Sequence, residues 1–236
     1  SVIFRSKGRE VSVFREGEEE SFSTDDPLDA LRKLMAEYET VPAEGLPAFH
    51  GGAVGYMSYD QVRFFETLPD ENPDVLGLPD LYFMITDTIL IFDHANNKVQ
   101  IVVNAHVQDD ADAAYNEAMR KIIEIETKLD GPLQATTDHV HTRGEAIPVE
   151  SNVTREGYCD AVRQAKEYIR AGDIFQVVLS QRFRRPVYAS PTNLYRALRC
   201  INPSPYMVLM QFPELALVAS SPEVMTQVKK GHVMVR

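Results

Sequence analysis

An α+β fold built largely on antiparallel sheets is predicted by three features of this chain. Segments of strand character outnumber helical ones, the clearest of them are joined by short turns, and the two kinds follow a mixed order that is neither strict βαβ nor all-β. With 236 residues, 44% of them hydrophobic and 25% charged, there is apolar material for a real core in one large domain or two small ones.

The elements follow in order. Apolar residues alternate at Val2 and Phe4 and again at Val11 and Val13, with Lys7-Gly8 between, which is the signature of a hairpin. Asp26-Pro27 supplies an N-cap and a first-turn proline, and Leu28, Leu31, Met35 and Tyr38 then recur at helical spacing. The run from Ala48 to Tyr59 mixes glycines with large apolar residues and is expected to be a buried strand with close backbone approach. An acidic, proline-rich loop covers Leu68 to Pro79. Tyr82 to Phe92 and Val99 to Val107 read as two long strands turning through Asn96-Asn97. Ala114, Ala118, Ile122, Ile125 and Leu129 form one stripe of a helix ending near Gly131.

Residues 132–152 have no period and are expected to connect an N-terminal region, 1–131, to a second region, 153–236. There Tyr158, Val162, Ala165 and Ile169 mark a helix stopped by Gly172, a strand is expected over Ile174 to Phe183, and a short helix near Leu194 to Leu198. Strands fill the remainder, ending on His232 to Arg236.

Several function classes are excluded or disfavoured. A net charge of -11 opposes nucleic-acid binding, and the Arg182, Arg184, Arg185 cluster reads as a solvated strand end. No stretch approaches the ~18 apolar residues of a membrane span and no secretory pattern opens the chain, so a cytoplasmic protein with no membrane role is expected. Cys159 and Cys200 sit outside any metal-ligand spacing and are expected to be reduced and at least half-buried. His139 and His141 lack acidic or thiol companions and are not read as a metal site. The glycines at 51, 52 and 55 precede no convincing helix start, so packing explains them better than phosphate binding.

Four longer strings carry a specific signal: HGGAVGYMSYDQVRFFE from His50, AGDIFQVVLSQRF from Ala171, NPSPYM from Asn202 and SSPEVM from Ser220. In this order they resemble the anthranilate synthase component I family of chorismate-utilising enzymes, along essentially the whole chain. The resemblance implies a lyase that uses ammonia and chorismate to make anthranilate and pyruvate in tryptophan biosynthesis, with Mg2+ as cofactor and a glutamine amidotransferase subunit as partner.

By the same resemblance Glu223, in the string Ser221-Pro222-Glu223, is the catalytic acid. A carboxylic acid can serve so at neutral pH when burial or a neighbouring anion raises its pKa. Gln176 stands where water-adding relatives carry a lysine base, and an amide has no site basic enough to deprotonate water, whereas ammonia brings its own lone pair. Pro205, Tyr206 and Met207 are implied to contact tryptophan as feedback inhibitor; a proline turn leading into a strand explains them equally. The resemblance also implies truncation at both ends, with the metal ligands and further substrate-holding residues after Arg236 and an upstream tryptophan-site string before Ser1, so that these residues alone are inactive. Aminodeoxychorismate synthase and a non-catalytic module that senses tryptophan or docks the amidotransferase stand as alternatives.

Overall fold

The computed structural model describes residues 2–41, 44–132 and 148–235. The chain divides into two compact units, Ser1–Leu133 and Gln134–Arg236. Every strand pair among the described residues is antiparallel.

In the first unit, β1 (Val2–Lys7), β2 (Glu10–Arg15) and β3 (Glu18–Ser23) form a meander. Its turns are made where Gly8, Glu16 and Gly17 take positive φ, as tight hairpins require. The third strand is not evident from alternation, because Glu18–Ser23 is polar apart from Phe22 and every residue in it is exposed. It lies at the edge of the sheet, where charge discourages pairing with other chains.

Next, α1 (Pro27–Ala36) starts where the Asp26 carboxylate accepts the Asp29 N–H, with Pro27 in the first turn. Leu28, Leu31, Met35 and Tyr38 pack against a core of Phe4, Val11, Val13, Leu81 and Ile85, and Leu34 is buried within it. β4 (Gly52–Met57) and β5 (Leu81–Thr86) complete a sheet of order β3-β2-β1-β5-β4, with a 3-10 turn over Tyr59–Phe64 between them. The close approach expected of the glycine-rich run is real at Gly55: a Cβ there would lie 1.9 Å from the Tyr82 carbonyl oxygen. The strand is shorter than expected, since residues 48–51 are irregular.

The long strand expected from Tyr82 to Phe92 is two strands. After β5 the chain breaks at Asp87, and among the described strands β6 (Thr88–Asp93) pairs only with β7 (Lys98–Val103), in a separate hairpin. The break is held by polar contacts that alternation does not report. The Asp87 carbonyl accepts the Asn104 N–H (2.7 Å), and its carboxylate accepts from the Thr88 hydroxyl (3.0 Å) and Lys121 (3.4 Å). Asn104 Nδ2 also donates to the His50 carbonyl (2.7 Å) and the Asp87 carbonyl (3.2 Å), fastening the start of β4 to this corner. The β6–β7 turn is set by Asp93, whose carboxylate accepts the Ala95 and Asn96 N–H groups, and by Asn97 at φ 51°. α2 (Ala111–Asp130) is capped by Asp110 and buries Ala118, with Ile122 and Ile125 half-buried on the expected stripe.

In the second unit, β8 (Glu150–Ser151) lies inside the stretch expected to be a connector; His139 and His141 fall outside the described residues. α3 (Arg155–Ala171) is capped by Thr154 and stopped by Gly172 in the left-handed conformation. The strand expected over Ile174 to Phe183 is mostly absent: only β9 (Phe183–Arg184) finds a partner, in β8. Pattern alone does not make a strand; its backbone needs a ladder partner, and 174–182 pairs with none of the described strands. α4 (Pro191–Ile201) follows a Ser190 cap, then β10 (Tyr206–Gln211) pairs with β11 (Ala216–Ser221), and β12 (Thr226–Lys229) with β13 (His232–Val235). Cys159 on α3 and Cys200 on α4 are free thiols, as expected, but both are exposed rather than sheltered, because few side chains of either helix are covered.

Candidate functional site

The two strings that end the second unit are joined by the β10–β11 hairpin. Tyr206 pairs with Ser221 and Met207 with Ser220, so the start of one strand lies directly across from the end of the other. α4 packs on both strands, and the Ser220 hydroxyl donates to the Asn202 carbonyl (2.7 Å), tying the turn after α4 to β11. Pro205, Tyr206 and Met207 are thereby placed beside the Ser221-Pro222-Glu223 turn by antiparallel register.

Glu223 follows β11 rather than lying in a strand, and the Ser221 hydroxyl closes the turn by donating to the Glu223 carbonyl (2.9 Å). Its side chain is exposed and forms no hydrogen bond or ion pair among the described residues. Gln176 is exposed as well, within the irregular 174–182 segment. Only the far end of that segment is fastened: Gln181 Nε2 donates to the Ser151 hydroxyl (2.9 Å), and the Arg182 N–H donates to Asn152 Oδ1 (2.8 Å). Among the described residues no hydrogen bond links Gln176 to Glu223.

Ser204 is a residue that the motifs did not single out. Its hydroxyl is shielded from solvent and has no partner among the described residues, immediately before Pro205. A polar residue between two prolines was the only available signal. Large apolar side chains in this unit stand in the open, with Phe175 93% and Val178 85% exposed, where a β-branched and aromatic run ordinarily packs. Among the described residues no three His, Cys, Asp or Glu side chains converge as a metal site. They offer no ligand set for Mg2+. No helix among them is long and apolar enough to cross a membrane.

Residues 5–236 match the chorismate binding enzyme family. The anthranilate synthase component 1 of Acetivibrio thermocellus is 40% identical over 211 residues, covering 88% of this chain and 43% of that protein. Its counterpart in Aquifex aeolicus is 37% identical over 236 residues, covering 100% of this chain and 48% of that one. The crystal structure of anthranilate synthase component I from Streptococcus pneumoniae superposes with a TM-score of 0.75 at 28% identity, covering 98% of this chain and 52% of that one. The chain thus spans about half the length of the curated relatives it matches. With the family matched from the first strand to the last residue, and the mixed antiparallel architecture shared with a solved component I, this chain belongs to the chorismate binding enzyme family.

Proposed function

We propose that this chain is part of the large subunit of an anthranilate synthase, which converts chorismate and ammonia to anthranilate and pyruvate. The observation that carries the reading is the pairing of Tyr206 with Ser221, which sets the Pro205–Met207 segment beside the Glu223 turn in a chain of this family. The relatives' name supports ammonia as the nucleophile, and so does the amide at Gln176. An amide cannot take a proton from water, so the position suits a nucleophile that arrives neutral with a free lone pair.

In this reading the ammonia lone pair bonds to ring carbon C2, the ring π electrons shift, and the C4 hydroxyl departs with the electron pair of its C–O bond, while the ammonium formed at C2 releases one proton to solvent. Glu223 gives that oxygen its proton, so water leaves rather than hydroxide. The C2 hydrogen then leaves as a proton, the ring–oxygen bond of the enolpyruvyl ether breaks with its electron pair on oxygen, and the departing enolpyruvate takes up a proton to become pyruvate, which makes the ring aromatic. The exposed Glu223 and Gln176 are covered in the full-length protein by the half of the family's length that these residues do not span. The Mg2+ that the resemblance implies would need ligands from outside the described residues, and bound there it would supply positive charge to the substrate carboxylates.

The glutamine amidotransferase subunit is the partner that supplies ammonia, the cytoplasm is the place of action, and Pro205, Tyr206 and Met207 contact tryptophan as feedback inhibitor. The test is product identity from chorismate and ammonium with the full-length protein. Anthranilate with equimolar pyruvate supports the reading. Accumulation of an aminated ring that retains the enolpyruvyl group assigns the protein to the aminodeoxychorismate synthases instead. Tryptophan binding without any turnover would point to a sensing module.

A further inference from the structure

Beside its glutamate the string SSPEVM holds two hydroxyls that the proposed chemistry leaves unused. The Ser221 hydroxyl donates to the carbonyl of Glu223 itself (2.9 Å). The Ser220 hydroxyl donates to the Asn202 carbonyl (2.7 Å), and Asn202 is fixed in turn as the C-cap of α4, its N–H donating to the Leu198 carbonyl (2.8 Å). A path of hydrogen bonds and two peptide units thus runs from the end of a helix to the peptide group of Glu223.

Covalent geometry tightens the same turn. Pro222 locks its own φ at about −65°. The residue before a proline is held to extended conformations, which Ser221 adopts as the last residue of β11. The rotations left between Ser221 and the Glu223 carbonyl are ψ of Pro222 and φ and ψ of Glu223. The Ser221 hydrogen bond restrains these three together, and they set the direction in which the Glu223 side chain leaves the chain.

That direction matters because nothing else among the described residues aims the side chain, which forms no hydrogen bond or ion pair there. A group that gives a proton to one departing oxygen has to be held closely, since roughly 1 Å of misplacement can cost about 10²-fold in rate. Such support comes from hydrogen bonds behind the reacting group.

We propose that Ser221 is a positioning residue for Glu223: its hydroxyl holds the Glu223 peptide so that the carboxyl meets the departing oxygen, while Ser220 anchors the turn to α4. Ser221 acts through the turn and takes no proton itself. The inference rests on the proposed function, in which Glu223 is the proton donor.

The experiment is steady-state ammonia-dependent anthranilate formation by the full-length protein, with the melting temperature read for each variant. It compares the parent with Ser221→Ala, Ser221→Thr, Ser221→Cys, Ser220→Ala, Glu223→Gln and the double variant Ser221→Ala with Glu223→Gln. Expected for Ser221→Ala is a kcat lower by about tenfold or more with the KM for chorismate within about twofold of the parent. Ser221→Thr keeps the hydroxyl and suits a strand end, so it stays within about threefold of the parental kcat. Ser221→Cys keeps the volume with a weaker donor and falls between alanine and threonine, which decides the matter should alanine unfold the turn. Ser220→Ala shows a smaller loss of the same kind. In the Glu223→Gln background the Ser221→Ala change costs nothing further, because the group it positions is gone.

If Glu223→Gln abolishes turnover while Ser221→Ala and Ser221→Cys keep kcat within about twofold of the parent, the positioning role is wrong and the proposed acid stands. If Glu223→Gln itself turns over near the parental rate, the acid assignment fails and the positioning role with it. A loss in Ser221→Ala that threonine does not restore, or that persists undiminished in the Glu223→Gln background, gives the hydroxyl a separate task and overturns the proposal.

Discussion

Replacing Gly55 by alanine tests the packing of the first unit most severely. The new Cβ would sit 1.9 Å from the Tyr82 carbonyl oxygen, 2.7 Å from Phe83 Cα and 2.8 Å from the Tyr82 carbonyl carbon. All three are backbone atoms of the paired strand, so no side chain can swing away. An ordinary carbon–oxygen contact needs more than an ångström of extra room, which β4 can gain only by separating from β5, whose Tyr82 is 2% exposed. Overpacking of this kind costs about 1–3 kcal/mol, and stretching a hydrogen bond of the ladder until a buried group is left unpaired adds roughly 1–3 kcal/mol. A loss of about 4 kcal/mol is a large part of the ~5–15 kcal/mol that holds a domain, and it lowers Tm by roughly 15 °C for a unit of this size. Thermal unfolding followed by circular dichroism reads the effect. Gly172→Ala is the comparison: no atom lies within 4 Å of its Cβ position, yet φ is +84°, so its cost is conformational alone, about 1–2 kcal/mol. A Gly55→Ala protein melting within two or three degrees of the parent, or no lower than Gly172→Ala, would refute the reasoning.

Three further outcomes are expected. Asn104→Ala removes the Nδ2 donor that serves both the His50 and Asp87 carbonyls, and chemical denaturation should show a loss of about 1–3 kcal/mol with an unchanged m-value. The hydrogen bond from Lys7 and the Gly77 N–H hold the Asp74 carboxyl below the usual aspartate range, while the Asp74 partner holds Lys7 above the usual lysine value. The clasp is therefore complete at neutral pH. It is lost as pH falls through the lowered Asp74 value and as pH rises through the raised Lys7 value; carbon-detected NMR titration should find the Asp74 midpoint below that of a reference aspartate, with the Gly77 amide shifting alongside. In the full-length protein, Gln176→Lys should slow anthranilate formation and admit some isochorismate; unchanged anthranilate with no isochorismate removes the selectivity argument.

The readable parts of the sequence are those in which local chemistry and tertiary contact agree. The β1–β2 hairpin, the Asp26-Pro27 start of α1 and the Gly172 stop of α3 are each written in a few neighbouring residues, and each forms where expected. β3 escapes because Glu18–Ser23 is paired on one side only and Phe22 is its one apolar residue, so no alternating hydrophobic signal accompanies it. The break at Asp87 escapes because apolar residues continue on both sides of it, and what divides them is a long-range contact with Asn104 and Lys121. Residues 174–182 carry strand-forming side chains without a strand to join, which shows how far sheet formation depends on the partner. The candidate site was legible only as strings in a fixed order; period and composition would place Glu223 among ordinary surface acids, and its exposure is that of one.

The measurement that bears most directly on the account is ammonia-dependent anthranilate formation by the full-length protein carrying Glu223→Gln, read by fluorescence alongside chorismate affinity. Loss of a general acid predicts a kcat lower by about 10²–10⁴-fold, with affinity and melting temperature near those of the parent. A kcat within a few-fold of the parent would contradict the assignment of the carboxyl at 223 as the proton donor to the departing hydroxyl.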